Sequence, residues 1–379
     1  VTHRLLFFSN LFPTKAEPYR GLDNATLLHA LSSEFDIRVL SPRPTLPWAR
    51  PVFEPRPGDA SLNPRWGRAA YLPKIGDTAN HLLMASSLRR DFERLYYDFR
   101  PSILLSSWIF PDSIAALRLS ASRIPVASIA QGSDIHQYLQ MPARRRVILK
   151  HLPEAGAVIT RSADLGRILK DADFPSEKLH TIYNGVDLSN FRPHDPAIDP
   201  PISPSPRLIL FVGNFYPVKN PLLLIRAVAQ LQNPHPVSLI MIGGGPLEKT
   251  CRNLIAELNL TSRVLLAGRK TADEIAPLMR AADLLALPSQ NEGVPNVILE
   301  AFASGTPVVA SHVGGIPEVL NHPSLGRTFP PGDLPALVAA LAEQLSTPRD
   351  SAAIRAHGQR FSWPASAAQY RDLLLSLIP

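Results

Sequence analysis

At 379 residues the chain exceeds what one hydrophobic core usually serves, so two domains are expected. Apolar residues make up 45% and charged residues 19%, ordinary globular proportions, and a lone cysteine, Cys251, excludes an intramolecular disulfide and fits a reducing compartment. The net charge of +7 sits wholly in residues 1–192, which hold 25 Lys and Arg against 18 Asp and Glu, whereas residues 193–379 hold 14 of each. No basic, apolar, small-residue leader opens the chain, and the run Leu5-Leu6-Phe7-Phe8 is too short to span a bilayer. A soluble cytoplasmic protein is expected, with attachment to a membrane surface left open.

In chain order, short apolar runs alternate with longer helical patterns. The runs are 4–10, 36–41, 103–107, 125–131, 157–162 and 180–183, then 207–214, 238–243, 263–268, 284–288 and 307–311. Their apolar character is continuous rather than alternating, as in parallel strands buried on both faces. The βα pattern runs twice, which predicts an α/β fold of two doubly wound, Rossmann-like domains. Residues 193–206, dense in proline, read as a linker between domains 1–192 and 207–360. A second proline-rich stretch, 42–73, carries Trp48 and Trp66 and reads as a long excursion from the first sheet. Arg89-Arg90, Arg94 and Arg144-Arg145-Arg146 are the densest basic clusters, suited to solvent, an anionic acceptor or an anionic membrane surface. Without zinc-finger spacing or a basic-aromatic platform, nucleic acid is not an expected partner.

The most informative segment is 288–305, Pro-Ser-Gln-Asn-Glu-Gly-Val-Pro-Asn-Val-Ile-Leu-Glu-Ala-Phe-Ala-Ser-Gly. It follows an apolar strand, turns at Glu292-Gly293, opens a helix with Pro295 at the first helical position, and ends at Gly305. Such a turn aims free backbone N–H groups past the strand's carboxyl end, where a diphosphate fits. Glu292 sits in the loop, where it can face a bound sugar. Glu300, one turn into the helix, can accept from paired hydroxyls such as those of a ribose; a helix-start acid and a surface acid are the bland alternatives.

These residues resemble the paired-glutamate motif of retaining family-4 glycosyltransferases of the GT-B fold, the type that builds bacterial polysaccharides and glycolipids. Neighbouring words resemble that family too: 281–289 before the motif, Gly305-Thr-Pro-Val-Val309 and Gly314-Gly-Ile-Pro-Glu318 after it. So do Pro111-Asp112, Gly132-Ser-Asp134 and Tyr183-Asn-Gly-Val-Asp187, and residues 361–379 resemble the family's last helix, which crosses back onto the first domain.

The resemblance implies two domains facing a cleft, with a nucleotide-sugar donor on the second and a glycan or lipid-linked acceptor on the first. Lys219 is then a partner of the donor diphosphate, and Glu292 a contact of the donor sugar, with Lys219, Glu292 and Asp134 as the catalytic set. Gly213, Asn214, Gly243, Gly244, Arg269, Lys270, Gly293, Val294, Pro295, Asn296 and Glu300 complete the donor site. Gly21, Asp134 and His136 fall on the acceptor side. Two positions depart from the family pattern: Asn214 stands where an arginine is usual, and Gln131 where a histidine is. An amide brings no charge to a phosphate. UDP-sugars are favoured over GDP- or ADP-sugars, no cofactor is expected, and retention at the anomeric carbon is implied. Asp171-Ala-Asp173 reads as a solvated turn, and His151, His180 and His194 have no metal-site spacing, so no metal is expected. Gly243-Gly-Gly245 fails the dinucleotide spacing because position 248 is Glu. An epimerase or phosphorylase on the same fold, or a non-catalytic sugar-nucleotide binder, are the alternatives. Attachment to the inner face of the cell membrane remains an expectation from the charge.

Overall fold

The computed structural model describes residues 3–45, 52–72, 76, 78–195, 207–231 and 236–379. The chain divides into two compact units, Val1–Tyr183 with Trp363–Pro379, and Asn184–Ser362.

The first unit is a seven-stranded parallel sheet made of β1 (His3–Phe8), β2 (Phe35–Pro44), β3 (Pro64–Ala69), β4 (Ile103–Ser107), β5 (Val126–Ala130), β6 (Ala157–Thr160) and β7 (Leu179–Thr181). The order is β3-β2-β1-β4-β5-β6-β7. Every residue of β4, β5 and β6 is buried, as strands covered on both faces must be. One cover is the helix Asn80–Phe99, which buries Met84, Leu88, Phe92, Leu95 and Phe99 at three- and four-residue spacing. The other is formed by the helices Leu22–Leu31 and Trp363–Leu377, whose Leu28, Tyr370 and Leu374 pack with Phe7, Ile129 and Ile159.

Two details of the sequence reading change here. The stretch 42–73 is not simply an excursion, because it contains β3, which pairs with β2 from Val39↔Pro64 to Pro44↔Ala69. Its proline and arginine content hid the strand, which an edge position tolerates. Trp66 packs inward, its ring 6.2 Å from Phe53 and its side chain against the helix-covered core. Trp48 lies outside the described residues.

The second unit is a six-stranded parallel sheet of β8 (Arg207–Val212), β9 (Val237–Ile242), β10 (Val264–Gly268), β11 (Leu284–Leu287), β12 (Val308–Ser311) and β13 (Gly326–Phe329), ordered β10-β9-β8-β11-β12-β13. The strand Gly-Arg-Thr-Phe at β13 has no apolar run to announce it, and it is recruited by pairing with β12.

The boundary between units falls after Tyr183 rather than after residue 192. Residues 184–195 belong to the second unit: Val186 N donates to Phe361 O at 2.7 Å, and Arg355 donates to Phe191 O at 2.7 Å and to Leu188 O at 3.1 Å. Of the linker 193–206, residues 196–206 lie outside the described residues. Among the described residues, no helix is long and apolar enough to cross a membrane.

Both sheets reverse direction of growth beside their first strand, between β1 and β4 and between β8 and β11. At such a point the loops leaving the two strands diverge, opening a crevice at the carboxyl edge where ligands of open α/β sheets bind.

Candidate functional site

At the β8/β11 reversal, the two loops carry the charged residues singled out by sequence. After β8 the chain makes a short turn, Pro217–Lys219, passes Asn220 at φ 47°, and enters the helix Pro221–Gln230. After β11 it runs through Ser289 to Glu292 and Pro295 before the helix Asn296–Ala303. Gln290 N donates to Val218 O at 2.7 Å and ties the loops together.

Lys219 Nζ donates to Glu292 Oε1, and Ser289 Oγ donates to the same oxygen at 2.7 Å. The lysine side chain is 27% exposed and the glutamate 10%, so the pair is sheltered but reachable. The loop is held from behind by Gly314, at φ 51°, where a Cβ would lie 1.8 Å from Glu292 O, so only glycine allows the approach. Gly315 N then donates to Gly293 O at 3.1 Å.

Pro295 is the N-cap of the next helix, with extended ψ of 128°, rather than its first helical residue, and no side chain caps the helix. Its first-turn N–H groups are therefore of the kind that meet an anion. Val294 is buried beneath this turn. Asn296 is fixed by Asn184 Nδ2, which donates to its Oδ1 at 2.7 Å. Glu300 is half-buried, one turn further on.

The other positions expected on the donor side are more dispersed in their contacts. Gly213 N donates to Ile242 O at 2.9 Å, Phe215 N to Gly244 O at 3.0 Å, and Gly243 N to Gly268 O at 2.8 Å, which stitches the carboxyl ends of β8, β9 and β10 into one rim. Arg269 is exposed alongside Gly244. Lys270 pairs with Glu274 at 3.2 Å, within the capping box that Thr271 and Glu274 build for the helix Ala272–Ala281. Asn214 is exposed on the rim and brings no charge.

The β1/β4 reversal in the first unit is built differently. Asp112 follows β4 and is fully buried; its Oδ2 accepts from Asn10 N at 2.6 Å, Asn10 Nδ2 at 2.7 Å and Ser9 Oγ at 3.4 Å. Its Oδ1 has no hydrogen-bond partner among the described residues. Burial pushes this carboxyl up to about 7, against the pull of the Asn10 amides, Ser9 and Arg20. Arg20 returns to the loop, donating to Asn10 O at 3.1 Å and Asn10 Oδ1 at 2.7 Å. Gly21 sits at φ 66°, where a Cβ would lie 2.2 Å from Leu11 C, so the expected close backbone approach is to residue 11 of the same loop.

Asp134 does not face outward as an acceptor contact would. It is fully buried, and its oxygens accept from Ile109 N at 2.8 Å, Gln131 N at 3.0 Å and Gly132 N at 2.8 Å. Burial raises its pKa and these amides oppose the rise. It clamps the loops after β4 and β5. His136 lies 3.6 Å from Asp164. Gln131 Nε2 donates to Asn24 Oδ1 at 3.0 Å and Ser107 Oγ at 2.6 Å, a bridge across the carboxyl edge.

Sequence reasoning thus named Lys219 and Glu292 but not that they pair, and it did not name Ser289, Asn184, Gly314 or Asp112 among the expected site residues. All four lie in words already noticed for their resemblance; a role for each needed the partner across the crevice. Among the described residues, no three His, Cys, Asp or Glu side chains gather closely enough to hold a metal ion.

The architecture is that of the GT-B glycosyltransferases: two parallel-sheet, Rossmann-like units of seven and six strands. Residues 24–190 match the family model Glycosyltransferase Family 4, and residues 198–361 match Glycosyl transferases group 1. The chain is 33% identical over 232 residues to the MMP alpha-(1->4)-mannosyltransferase of Mycolicibacterium hassiacum, covering 59% of this chain and 54% of that one. It is 32% identical over 251 residues to the D-inositol 3-phosphate glycosyltransferase of Corynebacterium efficiens, covering 60% and 58%. The matched region therefore spans little more than half the length of these relatives. The crystal structure of Anabaena HepE in complex with UDP shares the fold with a TM-score of 0.76 at 19% identity, over 99% of this chain and 100% of that one.

Proposed function

We propose that the chain is a retaining glycosyltransferase that moves a sugar from a nucleotide donor, UDP-sugar in preference, to a hydroxyl of a glycan or lipid-linked acceptor. The observation that carries this reading is the Lys219–Glu292 pair at the β8/β11 reversal, beside the uncapped N-terminus of the helix Asn296–Ala303. The two glycosyltransferase family matches and the UDP held by the Anabaena protein support it.

Departure of a nucleoside diphosphate builds negative charge on phosphate oxygens. Lys219, the loop amides of Gly293 and Val294 and the first helical amide, that of Asn296, stabilise that charge in place, without reorganising water. Donor binding draws the lysine toward phosphate and leaves Glu292, still held by Ser289, to accept from hydroxyls of the sugar. Glu300 accepts from the ribose hydroxyls. The departing phosphate takes the acceptor proton on the face it leaves, so retention needs no protein nucleophile, and Glu292 orients the sugar rather than attacking it. Because Lys219 and backbone amides meet the diphosphate charge, the reaction proceeds without a metal. Asp112 and Asp134 shape the acceptor loops of the first unit from beneath.

The positive charge of the first half supports work at the inner face of a membrane, in cell-surface polysaccharide or glycolipid synthesis. The helix Asn80–Phe99 exposes Arg89, Arg90 and Arg94 together with Leu82 and Tyr97. A sugar-nucleotide binder without turnover is the second reading, favoured by the uncharged Asn214 and by the commitment of the Gln131 amide to Asn24 and Ser107.

Transfer from radiolabelled UDP-, GDP- and ADP-sugars, with and without EDTA, tests the proposal. UDP-sugar turnover that survives chelation is expected. Binding without hydrolysis or transfer supports the second reading, and activity lost to EDTA and restored by manganese overturns metal independence.

A further inference from the structure

Among the described residues of the first unit, the buried cation Arg161 has no ion-pair partner. Arg161 directly follows β6 and is 3% exposed, yet its Nε, Nη1 and Nη2 all lack a hydrogen-bond partner among the described residues. Strand register fixes its direction. Ala130 pairs with Thr160, so Gln131 and Arg161 take the next position at the carboxyl ends of the neighbouring strands β5 and β6. Ile129 and Ile159, two residues earlier, pack in the cluster that holds Tyr370 of the last helix. Strand alternation places Gln131 and Arg161 on that same face.

The Arg161 guanidinium lies 5.8 Å from the Tyr370 ring centroid, and the fully buried Tyr370 hydroxyl also lacks a hydrogen-bond partner. Burial pushes that phenol up, and Arg161 opposes the rise both by its charge and by an N–H group that approaches the hydroxyl without reaching hydrogen-bonding geometry. Stacking on a phenol ring offsets only part of what an unpaired buried guanidinium costs. Its planar fork of N–H donors is matched by a carboxylate or a phosphate, which accept two parallel hydrogen bonds.

We propose that Arg161 anchors an oxyanion subsite at the carboxyl edge of the first sheet, which takes a phosphate or carboxylate group carried by the acceptor. This rests on the reading of the first unit as the acceptor side. The donor diphosphate is met elsewhere, by Lys219 and the helix Asn296–Ala303 of the second unit. The acceptor is then an anionic hydroxyl compound rather than a neutral sugar.

The full chain, saturated with UDP, is titrated calorimetrically with inorganic phosphate as wild type, Arg161→Met and Arg161→Lys. The wild type takes up one phosphate beyond the UDP; Arg161→Met weakens that uptake at least tenfold, Arg161→Lys less, and UDP affinity stays the same in all three. Melting in phosphate-free buffer supplies a second readout. There Arg161→Met melts at or above the wild-type temperature, because an unpaired charge has been replaced by an apolar side chain of similar length.

Three results overturn the proposal. They are unchanged phosphate uptake by Arg161→Met, a lower melting temperature for that variant in phosphate-free buffer, which makes Arg161 a brace for the last helix, and a parallel loss of UDP affinity, which makes it a donor contact. If the wild type takes no UDP, the donor reading fails separately, and phosphate titration of the free chain still decides the role of Arg161.

Discussion

The two sheet reversals share one topology and are armed in opposite ways. At β8/β11 a cation and an acid stand at the surface of the crevice, partly exposed, held to each other and to Ser289. At β1/β4 the acids are sunk out of reach: Asp112 and Asp134 are both fully buried, Asp134 holding amides with both oxygens and Asp112 holding the Asn10 and Ser9 groups with Oδ2. A doubly wound sheet supplies the crevice in both places. What is hung on it differs: charges able to exchange one partner for another in the second unit, and loop-holding carboxyls in the first.

The largest test of this contrast is pH. Asp112 has a folded pKa near 7, above its ordinary value of 3.8, so between those limits the folded chain keeps a proton that the unfolded chain has released. Its contribution to stability is therefore present at the acidic end and is lost as pH rises toward 7. Urea unfolding should show Asp112→Asn flattening that decline, by up to about 4 kcal/mol across the window. An identical pH slope in wild type and variant would remove Asp112 as the cause.

Next comes Asp134→Ala, which leaves the amides of Ile109, Gln131 and Gly132 without their acceptor. A loss of about 3 kcal/mol is expected, the scale of breaking a buried charged network, with a smaller loss for Asp134→Asn. If the alanine variant is as stable as wild type but inactive, Asp134 is chemical rather than structural, and the contrast between the reversals fails.

In the second unit the effects should fall on function instead. Glu292→Gln should lower turnover by about a hundredfold while leaving the melting temperature and UDP affinity near wild type. A variant that loses stability as much as activity would place Glu292 with the structural acids.

The smallest expected effect is that of Lys219→Ala on UDP affinity, about 1.5–3 kcal/mol by calorimetry, the range for a hydrogen bond to a charged group. Part of the lysine's strength is already spent on Glu292, which sets the expected loss toward the lower end of that range. Unchanged affinity in a folded Lys219→Ala would withdraw the diphosphate assignment.

Much of the fold was legible in the chain, because continuous apolar runs at 4–10, 103–107 or 284–288, too short for helices and bounded by turn residues, fit strands buried on both faces. The glutamate pair, the glycine after the helix and the charge asymmetry were equally open to reading, since each depends on local chemistry. The edge strands β3 and β13 were not, because their residues bury little and a neighbour's free N–H and C=O groups decide whether they pair. Nor was the boundary at Tyr183, which is set by Arg355 reaching back to Leu188 and Phe191 across more than 160 positions.

The same division runs through the sites. Sequence determined that Lys219, Glu292, Asp112, Asp134 and Arg161 are present; tertiary structure decided that the first two meet, that the next two are buried as clamps, and that Arg161 is buried beside Tyr370 without a hydrogen-bond partner among the described residues. The reason is physical: a side chain's type is fixed by its own atoms, but its charge state and its partners depend on how much water the rest of the fold leaves around it.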